Sequence, residues 1–295
     1  MAEPSVSVVI PTLNAEGEIG ALLSSIESQT LKPSEIIVVD SSSTDGTVAE
    51  IVAHPGVSLI TIDRADFNHG LTRDMALRRT TGEFVCFLTQ DAVPADERYL
   101  QNLVAPMLGD SQIALVSGRQ LPKADARRFE QLVREFNYPL ELSVRSNKDL
   151  PRLGIKTFFA SDVCSAYRRD AYLVCGGFSR VDTNEDMLMA SCFIGHGFKV
   201  AYEPSAVVYH SHNLTLRQQF KRNSVVGYFL ERHSDELMNA NELGEGGRLV
   251  KSVALQLIRE KRINEFFCFG LDCASRFFGN RAGRLKARTQ SIFSS

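Results

Sequence analysis

The chain has 295 residues, of which 44% are hydrophobic and 23% are charged, and its formal net charge is −2. This length and composition allow a substantial core in one large domain or two small ones. The near-neutral charge offers no overall attraction to nucleic acid or anionic lipid, so any such attraction has to be local.

The first half of the sequence alternates continuously apolar runs with segments of helical periodicity. Four runs predict strands, at residues 5–10, 35–39, 57–62 and 83–88. The first predicted helix is capped by Asn14 and runs to residue 29. Apolar strands of this kind predict a parallel sheet covered on both faces by helices. Ligands bind such sheets beyond the carboxyl ends of the strands, where Asp40 and Asp91 fall.

The alternation loosens after residue 116. Two helices and two short strands are predicted there, at residues 129–136, 186–194, 199–202 and 206–209. From residue 216 onward the sequence is helical. We therefore predict an α/β fold, with a mostly parallel central sheet flanked by helices and a helical C-terminal tail.

Two common nucleotide-binding motifs are missing. The turn at residues 10–17 lacks GxGxxG spacing, and GxxxxGK[ST] occurs nowhere in the chain. NAD-type and P-loop nucleotide binding are therefore disfavoured.

Several other motifs occur in the order and spacing of a known family. The segments Val8–Asn14 and Glu35–Thr47 resemble the opening of family 2 glycosyltransferases. The resemblance continues through four further segments, at residues 67–73, 87–92, 118–120 and 209–212. Together they look like the bacterial rhamnosyltransferase branch of that family, whose donor is dTDP-L-rhamnose.

The resemblance implies a GT-A fold and inverting transfer of a sugar. It implies a Rossmann-like nucleotide-sugar-binding half over residues 1–118, an acceptor-binding half over 119–230 and a helical extension over 231–295. The expected reaction moves L-rhamnose from dTDP-L-rhamnose to a saccharide or lipid-linked acceptor in bacterial polysaccharide assembly, such as that of O-antigen. Two alternatives stay open: another donor such as UDP-glucose or UDP-galactose, and a non-catalytic module that binds nucleotide or glycan.

Asp91 is predicted to hold the donor's metal, Mg²⁺ or Mn²⁺. A divalent ion bound by a carboxylate offsets the charge of a nucleotide diphosphate. The resemblance makes Asp91 the last residue of a DxD element whose first acidic position is Thr89 here, so one carboxylate remains. His210 is the candidate for the missing ligand, although a histidine is more often structural and the nearby His212 leaves the choice open. Pro94 disfavours the alternative in which Asp91 caps a helix.

Asp186 is the predicted catalytic base. The resemblance matches Asn184–Leu188 to the family's Glu-Asp element, in which a carboxylate deprotonates the acceptor hydroxyl. Glu185 is expected to orient the acceptor or to share its proton. Acidic residues in the first turn of a helix also complement the helix dipole, and this is the alternative for both.

Further substrate contacts follow from the resemblance. Asp40 would hydrogen-bond the nucleobase, unless it caps the turn at residues 41–45. Arg73 would pair with the diphosphate through its planar guanidinium, unless it lies on a solvated helix face. Asp162 and Gly177 are expected to contact the sugar or acceptor, with a simple turn as the glycine's alternative. The other donor contacts are predicted at Pro11, Thr12, Asn14, His69 and Gln90.

The start of the chain and its cysteines indicate a cytoplasmic protein. Residues 1–5 show no basic segment before an apolar one, and no apolar stretch approaches the roughly 18 residues of a spanning helix. The six cysteines form no CxxC pair, so buried free thiols are a better prediction than disulfides or a zinc site.

The C-terminal tail is basic and aromatic. Residues 248–288 contain ten basic and three acidic residues, a local formal charge of +7, together with five phenylalanines. Such a tail can dock on an anionic membrane, which would place the protein at the inner face of the cell membrane beside a lipid-linked acceptor. In the alternative, the phenylalanines pack on the catalytic domain or on a second subunit, as in a homodimer.

Overall fold

The computed structural model describes residues 3–241 and 245–293; residues 1, 2, 242–244, 294 and 295 lie outside it, and with them parts of the predicted nucleotide-sugar-binding half and of the predicted C-terminal extension. The described residues form a nine-stranded sheet in the order β3-β2-β1-β4-β8-β6-β9-β5, with β7 paired to β9. The strands are β1 (Val6–Thr12), β2 (Glu35–Asp40), β3 (Val57–Thr61), β4 (Phe84–Leu88), β5 (Val93–Pro94), β6 (Ile113–Leu121), β7 (Ser143–Arg145), β8 (Cys164–Arg168) and β9 (Lys199–Tyr209).

Helices cover both faces of this sheet. They are α1 (Ile19–Glu27), α2 (Thr47–Val52), α3 (His69–Arg79), α4 (Tyr99–Gly109), α5 (Arg128–Asn137), α6 (Leu150–Leu153), α7 (Arg169–Val174), α8 (Glu185–Gly195), α9 (Leu216–Arg232), α10 (Glu245–Arg259) and α11 (Ile263–Phe293). One core packs α1 and α4 on one face of the sheet, and a second packs α3, α7 and α8 on the other. Two covered faces explain why β1 and β4 are apolar at nearly every position.

The first half of the sheet is parallel. β1 pairs in parallel with β2 and β4, and β2 pairs in parallel with β3. β8 then runs antiparallel between β4 and β6, whereas β6 and β9 are parallel. Since Thr12 pairs with Asp40, the carboxyl ends of β1 and β2 meet at one edge. The predicted α/β sheet flanked by helices is confirmed, and its parallel part positions the site.

Asn14 is not the cap of the first helix, so that prediction was wrong. The helix α1 begins at Ile19, after Glu18. Asn14 has a φ of 47°, in the left-handed region, whereas an N-cap residue needs extended backbone. Its side-chain oxygen instead accepts a hydrogen bond from the Thr44 amide over 2.9 Å. The polar turn after β2 therefore fixes the loop after β1.

The second half is more continuous than predicted. The two short strands expected near residues 199 and 209 are one strand, β9, with a register shift opposite Gly118 and Arg119. The proposed boundary at residue 118 lies within β6, and the one at residue 230 lies within α9. The division into halves and an extension remains a prediction.

The C-terminal helices pack on the rest of the chain. Gly279 and Gly283, four residues apart on α11, face the backbone of α9 so closely that an added Cβ would collide with the carbonyl oxygens of Phe220 and Ser224. Phe269 of α11 joins a cluster with Phe129 of α5. In these contacts the C-terminal tail packs on the rest of the chain, which is the alternative to docking on a membrane. Within the described ranges, no helix is both long and apolar enough to cross a membrane.

Candidate active site at the carboxyl ends of the parallel strands

A cleft of about 620 Å³ opens beyond the carboxyl ends of β1, β2 and β4. Six of the eight predicted donor-binding residues line it: Pro11, Thr12, His69, Arg73, Gln90 and Asp91. Neither Asn14 nor Asp40 is among its lining residues. Lys123 and Arg64 also line it, and the sequence reasoning had not singled them out. The cleft has the volume of a small-molecule site and occupies the ligand position of open α/β sheets.

Gln90 joins the two loops that form the floor of the cleft. Its Oε1 accepts hydrogen bonds from Thr12 Oγ1 over 3.0 Å and from the Leu13 amide over 2.8 Å. Its Nε2 donates to the Leu13 carbonyl over 3.2 Å. These hydrogen bonds connect the loop after β1 to the loop after β4, which carries Asp91.

Asp40 lies buried at the end of β2, in a turn. Its Oδ2 accepts from the Ser43 amide over 3.0 Å and its Oδ1 from the Ser43 hydroxyl. This is the turn-capping alternative, because the bonds close the segment after β2. Ser41, its neighbour, lines the cleft. Contact between Asp40 and a nucleobase stays a prediction.

Asp91, His210 and His212 converge at one side of the cleft. Asp91 Oδ2 lies 3.4 Å from His210 Nε2 and 3.5 Å from His212 Nε2, and the two nitrogens are 3.2 Å apart. The three side chains form a group that could hold a metal ion. The sequence prediction had paired Asp91 with His210 and left His212 open. Residues two apart on an extended chain share a face, and this signal could have identified His212.

Gln120 contacts the Nδ1 side of His210, and Arg134 Nη1 donates a hydrogen bond to the same oxygen of Gln120. His210 Nδ1 lies 3.1 Å from Gln120 Oε1, and we assign the proton to Nδ1 because that oxygen can only accept. His210 Nε2 then turns its lone pair toward Asp91 and His212. Burial lowers the pKa of His210 to about 3, against the opposing effect of Asp91, so the imidazole is neutral. Neutral imidazole is the form that binds metal.

Thr89 occupies the first position of the Thr-Gln-Asp segment, two residues before Asp91. Its amide donates to the Val163 carbonyl over 3.2 Å, whereas its buried Oγ1 has no hydrogen-bond partner in the structure. Asp91 precedes the short strand β5, and α4 begins only at Tyr99, so Asp91 caps no helix. The carboxylate oxygen of Asp91 and the two neutral imidazoles fit a divalent cation.

A buried ion pair connects the cleft to the predicted base region. Arg73 Nη1 donates to Glu185 Oε1 over 2.7 Å, and Arg73 Nε lies 3.9 Å from Asp162 Oδ2. Asp162 also accepts from Ser165 and Tyr167, over 2.7 Å each. Burial raises the pKa of Asp162 to about 6, which Arg73 opposes. Arg73 is therefore no solvated helix residue.

His69 packs beside this ion pair. It lines the cleft, and its Nδ1 lies 3.5 Å from Arg73 Nη1. Burial first, and then the Arg73 charge, lower the pKa of His69 to about 4. The imidazole is therefore neutral, and it presents a hydrogen-bonding edge to a ligand without adding charge.

Asp186 lies in the first turn of α8, next to Asp162. Its Oδ2 accepts from the Asp162 amide over 3.2 Å, and its Oδ1 accepts from the Met187 amide over 2.7 Å. Desolvation, and then the charges of Asp162 and Glu185, raise the pKa of Asp186 well above its usual value. A raised pKa suits a general base that must hold a proton during catalysis.

Gly177 lies away from the cleft, in a turn. Its φ is +90°, and an added Cβ would collide with Asp74 Oδ1 and lie 2.7 Å from Arg78 Nη2. Arg78 in turn donates to the Gly176 carbonyl over 2.8 Å. The structure accounts for this glycine as a turn residue, and its contact with substrate remains a prediction.

The cysteines are all free, as expected, but not all buried. Cys268 is exposed, because it lies on the outer side of α11. Cys175, Cys192 and His196 form a second group close enough to share a metal ion. The His196 Nδ1, however, lies 2.9 Å from the Cys192 carbonyl and is engaged there.

Known proteins resemble this chain in both sequence and fold. The profile of glycosyl transferase family 2 matches residues 7–174. The chain is 41% identical over 253 residues to the O-antigen chain rhamnosyltransferase RfbN of Salmonella typhimurium, covering 84% of this chain and 79% of that protein. It is 39% identical over 256 residues to the O-antigen chain rhamnosyltransferase WbaN of Salmonella anatum, covering 84% and 80%.

Two solved structures share the fold at low identity. One is the mannosyltransferase PcManGT from Pyrobaculum calidifontis in complex with GDP-Man and Mn²⁺, with a TM-score of 0.63, 19% identity, and coverage of 100% of this chain and 88% of that one. The other is S. aureus TarS 1-349 in complex with UDP-GlcNAc, with a TM-score of 0.57, 15% identity and coverage of 96% and 92%. The match of the family profile to more than half of the chain, and the two relatives near 40% identity, show that the chain belongs to glycosyl transferase family 2 and is a glycosyltransferase of the GT-A fold.

Proposed function

We propose that the chain transfers L-rhamnose from dTDP-L-rhamnose, with inversion, to a saccharide or lipid-linked acceptor in O-antigen-type polysaccharide assembly. The observation that carries the proposal is the group of Asp91, His210 and His212 beside a nucleotide-sized cleft. Its support for rhamnose comes from the two relatives near 40% identity, both named as rhamnosyltransferases.

The ligand set favours Mn²⁺ over Mg²⁺. Mg²⁺ prefers oxygen ligands and keeps its water, whereas imidazole suits transition metals. Asp91 supplies one carboxylate, while His210 and His212 supply two nitrogens. A divalent cation held there would offset charge on the donor diphosphate as the sugar leaves.

The chain's own residues would bind the donor and move the proton. Arg73 and Lys123 line the cleft and supply positive charge for the diphosphate. Glu185 is engaged by Arg73, so it would position that arginine and not share the proton. Asp186 would accept the proton of the acceptor hydroxyl as the oxygen attacks the anomeric carbon and the bond to the nucleotide breaks. The nucleoside diphosphate leaves with that electron pair.

A panel of nucleotide sugars tests the proposal. The purified chain would be incubated with Mn²⁺, a panel of saccharide acceptors and, in turn, dTDP-L-rhamnose, UDP-glucose and UDP-galactose. We expect nucleotide release and a glycosylated product with dTDP-L-rhamnose at a rate at least about tenfold above the others, since one well-made polar contact is worth more than 1.4 kcal/mol. A UDP-sugar preferred by the same margin would overturn the donor assignment, and binding without turnover would overturn the reaction.

The outer side of α11 supports contact with a membrane. Phe267, Leu271, Phe278 and Leu285 are each more than half exposed. The neighbouring Arg281 is exposed beside them. Apolar side chains next to cationic ones suit an anionic lipid surface, where a lipid-linked acceptor would lie. Flotation with anionic and neutral vesicles tests this; we expect binding to the anionic vesicles, and no lipid-dependent flotation would contradict it.

A further inference from the structure

A second cavity lies on the other side of the two histidines. It has a volume of about 290 Å³, and both His210 and His212 line it. These two residues belong, with Asp91, to the group that could hold a metal ion, and His212 also lines the cleft. Side chains of α5, α9 and α11 form its remaining walls. A ligand in this cavity would lie next to His210 and His212, which both belong to the group that could hold a metal ion.

Three arginines line this cavity, one from each helix. They are Arg134 of α5, Arg222 of α9 and Arg276 of α11. Glu130 is the one carboxylate among the lining residues. The lining therefore carries an excess of positive charge.

The three arginines differ in how they are paired. Arg276 donates to Asp272 over 2.6 Å and lies 3.8 Å from Glu130. Arg134 donates to Gln120 and has no carboxylate within ion-pair distance among the described residues. Arg222 makes neither a hydrogen bond nor an ion pair with any described residue.

Arg222 is an exposed residue of α9, and it shares the lining of the cavity with the like-charged Arg134 and Arg276. Desolvation lowers its pKa, and the charges of Arg276 and Arg134 lower it further. Like charges at close range destabilise the folded chain unless an anion lies between them. Guanidinium groups match phosphate oxygens in geometry and charge, so the cavity is suited to a phosphate or diphosphate group.

The cavity also adjoins the predicted base. Ser161 and Tyr138 line it, and Ser161 directly precedes Asp162, whose amide bonds Asp186. Burial is the main cause of the raised pKa of Tyr138, and the charge of Asp186 is a smaller one. A group bound in the cavity would therefore belong to the molecule that delivers its hydroxyl to Asp186.

We propose that the cavity between α5, α9 and α11 binds a phosphate or diphosphate group carried by the acceptor, with Arg222 as its principal contact. This inference rests on the proposed glycosyl transfer. It assigns the C-terminal helix α11 to the acceptor site, since Arg276 contributes one wall.

Anion binding in the presence of EDTA tests the proposal, because no metal can then recruit the ligand. The full chain would be titrated calorimetrically with inorganic pyrophosphate, glucose 1-phosphate and farnesyl diphosphate. We expect Arg222→Gln to weaken pyrophosphate binding about tenfold or more, since one charge-assisted hydrogen bond is worth about that factor. Arg222→Lys, which keeps the charge but loses the planar fork, should lose less.

Lys221→Gln is the matched control. It removes the same charge from the neighbouring, exposed residue of α9, which does not line the cavity. We expect it to bind pyrophosphate like the wild type. Equal affinities of the Arg222→Gln and Lys221→Gln variants would overturn the proposal. Because Arg222 makes no bond, Arg222→Gln should unfold at the same temperature as the wild type or higher, and a marked fall would also contradict it.

The other ligands identify the carrier of the phosphate. Arg222-dependent binding that is tighter for farnesyl diphosphate supports a lipid-linked diphosphate, and tighter binding of glucose 1-phosphate supports a soluble sugar phosphate. Nucleotide-sugar turnover by the wild-type chain is measured in parallel. Absence of that turnover alongside Arg222-dependent pyrophosphate binding would overturn the transfer reaction and leave the anion site supported.

Discussion

Arg73 Nη1 donates a 2.7 Å hydrogen bond to Glu185 Oε1, and both side chains are less than a tenth exposed. This pair joins the start of α3, which lines the cleft, to the start of α8, which carries Asp186. The donor side and the base side of the site are therefore connected by one ion pair. Loss of this ion pair should lower both the free energy of unfolding and the transfer activity.

Glu185→Gln tests the energetic part of this connection. It leaves the buried Arg73 guanidinium with the 3.9 Å contact to Asp162 and the 3.3 Å hydrogen bond to the His69 carbonyl, and breaking a buried pair costs about 3–5 kcal/mol. We expect a loss of about 3 kcal/mol in the free energy of unfolding, measured by urea denaturation. Arg152→Gln, which breaks the exposed pair with Asp149, should cost at most about 1 kcal/mol. Similar losses in the two variants would contradict the assignment.

Asp186→Asn should abolish most of the transfer activity. Loss of a general base lowers kcat by about 10²–10⁴-fold, measured as nucleotide release under saturating substrates. Asp235→Asn, at an exposed position, is the control and should keep full activity.

The raised pKa of Asp186 also predicts how kcat and stability depend on pH, and the Asp186→Asn variant tests this dependence. The carboxylate form is lost as pH falls through a pKa above the usual 3.8, so kcat of the wild type should fall with it. The folded state holds this proton more tightly than the unfolded state, so the group's contribution to stability falls as pH rises through that range. Asp186→Asn should remove both dependences, and an unchanged pH profile would exclude Asp186 as the base.

Gln120→Ala should weaken metal binding without removing a ligand. Gln120 Oε1 fixes the tautomer of His210, and loss of such a partner costs about 10–100-fold in metal affinity. Electron paramagnetic resonance of free Mn²⁺ in the presence of dTDP would measure the change. His54→Ala, beside Glu27 and outside the residues that line the cleft, should leave the affinity unchanged. An effect of His54→Ala equal to that of Gln120→Ala would show that the loss is nonspecific.

The sequence predicts those parts of the structure that depend on local pattern. The strands and helices of the first half follow from apolar periodicity, and the cleft follows from where the parallel strands end. Asn14 was misassigned because its contact with Thr44 comes from a loop thirty residues away. Gln120 lies in the matched segment 118–120 but was given no role, because it approaches His210 only through the pairing of β6 with β9. Arg134 was missed because the packing of α5, and no local pattern, brings it to Gln120. Local sequence pattern therefore predicts the position of Asp91, whereas the surroundings of the two histidines depend on contacts between residues far apart in the chain.

Gly177→Ala should destabilise the turn between α7 and α8. Its φ of +90° and the approach of Asp74 leave no room for a Cβ, and such strain costs about 1–3 kcal/mol. Gly109→Ala is the control, because Gly109 has open space around it near the end of α4 and an alanine there should be neutral or stabilising. Thermal unfolding of both variants measures the difference. A neutral Gly177→Ala would contradict the strained turn.

The central claim is that Asp91 acts on the donor through a metal ion. The most direct measurement is calorimetric binding of dTDP-L-rhamnose to the wild type and to Asp91→Ala, each with Mn²⁺ and with EDTA. We predict that Mn²⁺ strengthens binding to the wild type about tenfold or more and has no such effect on the variant, while the two proteins bind alike in EDTA. Equal strengthening by Mn²⁺ in both proteins would contradict the account.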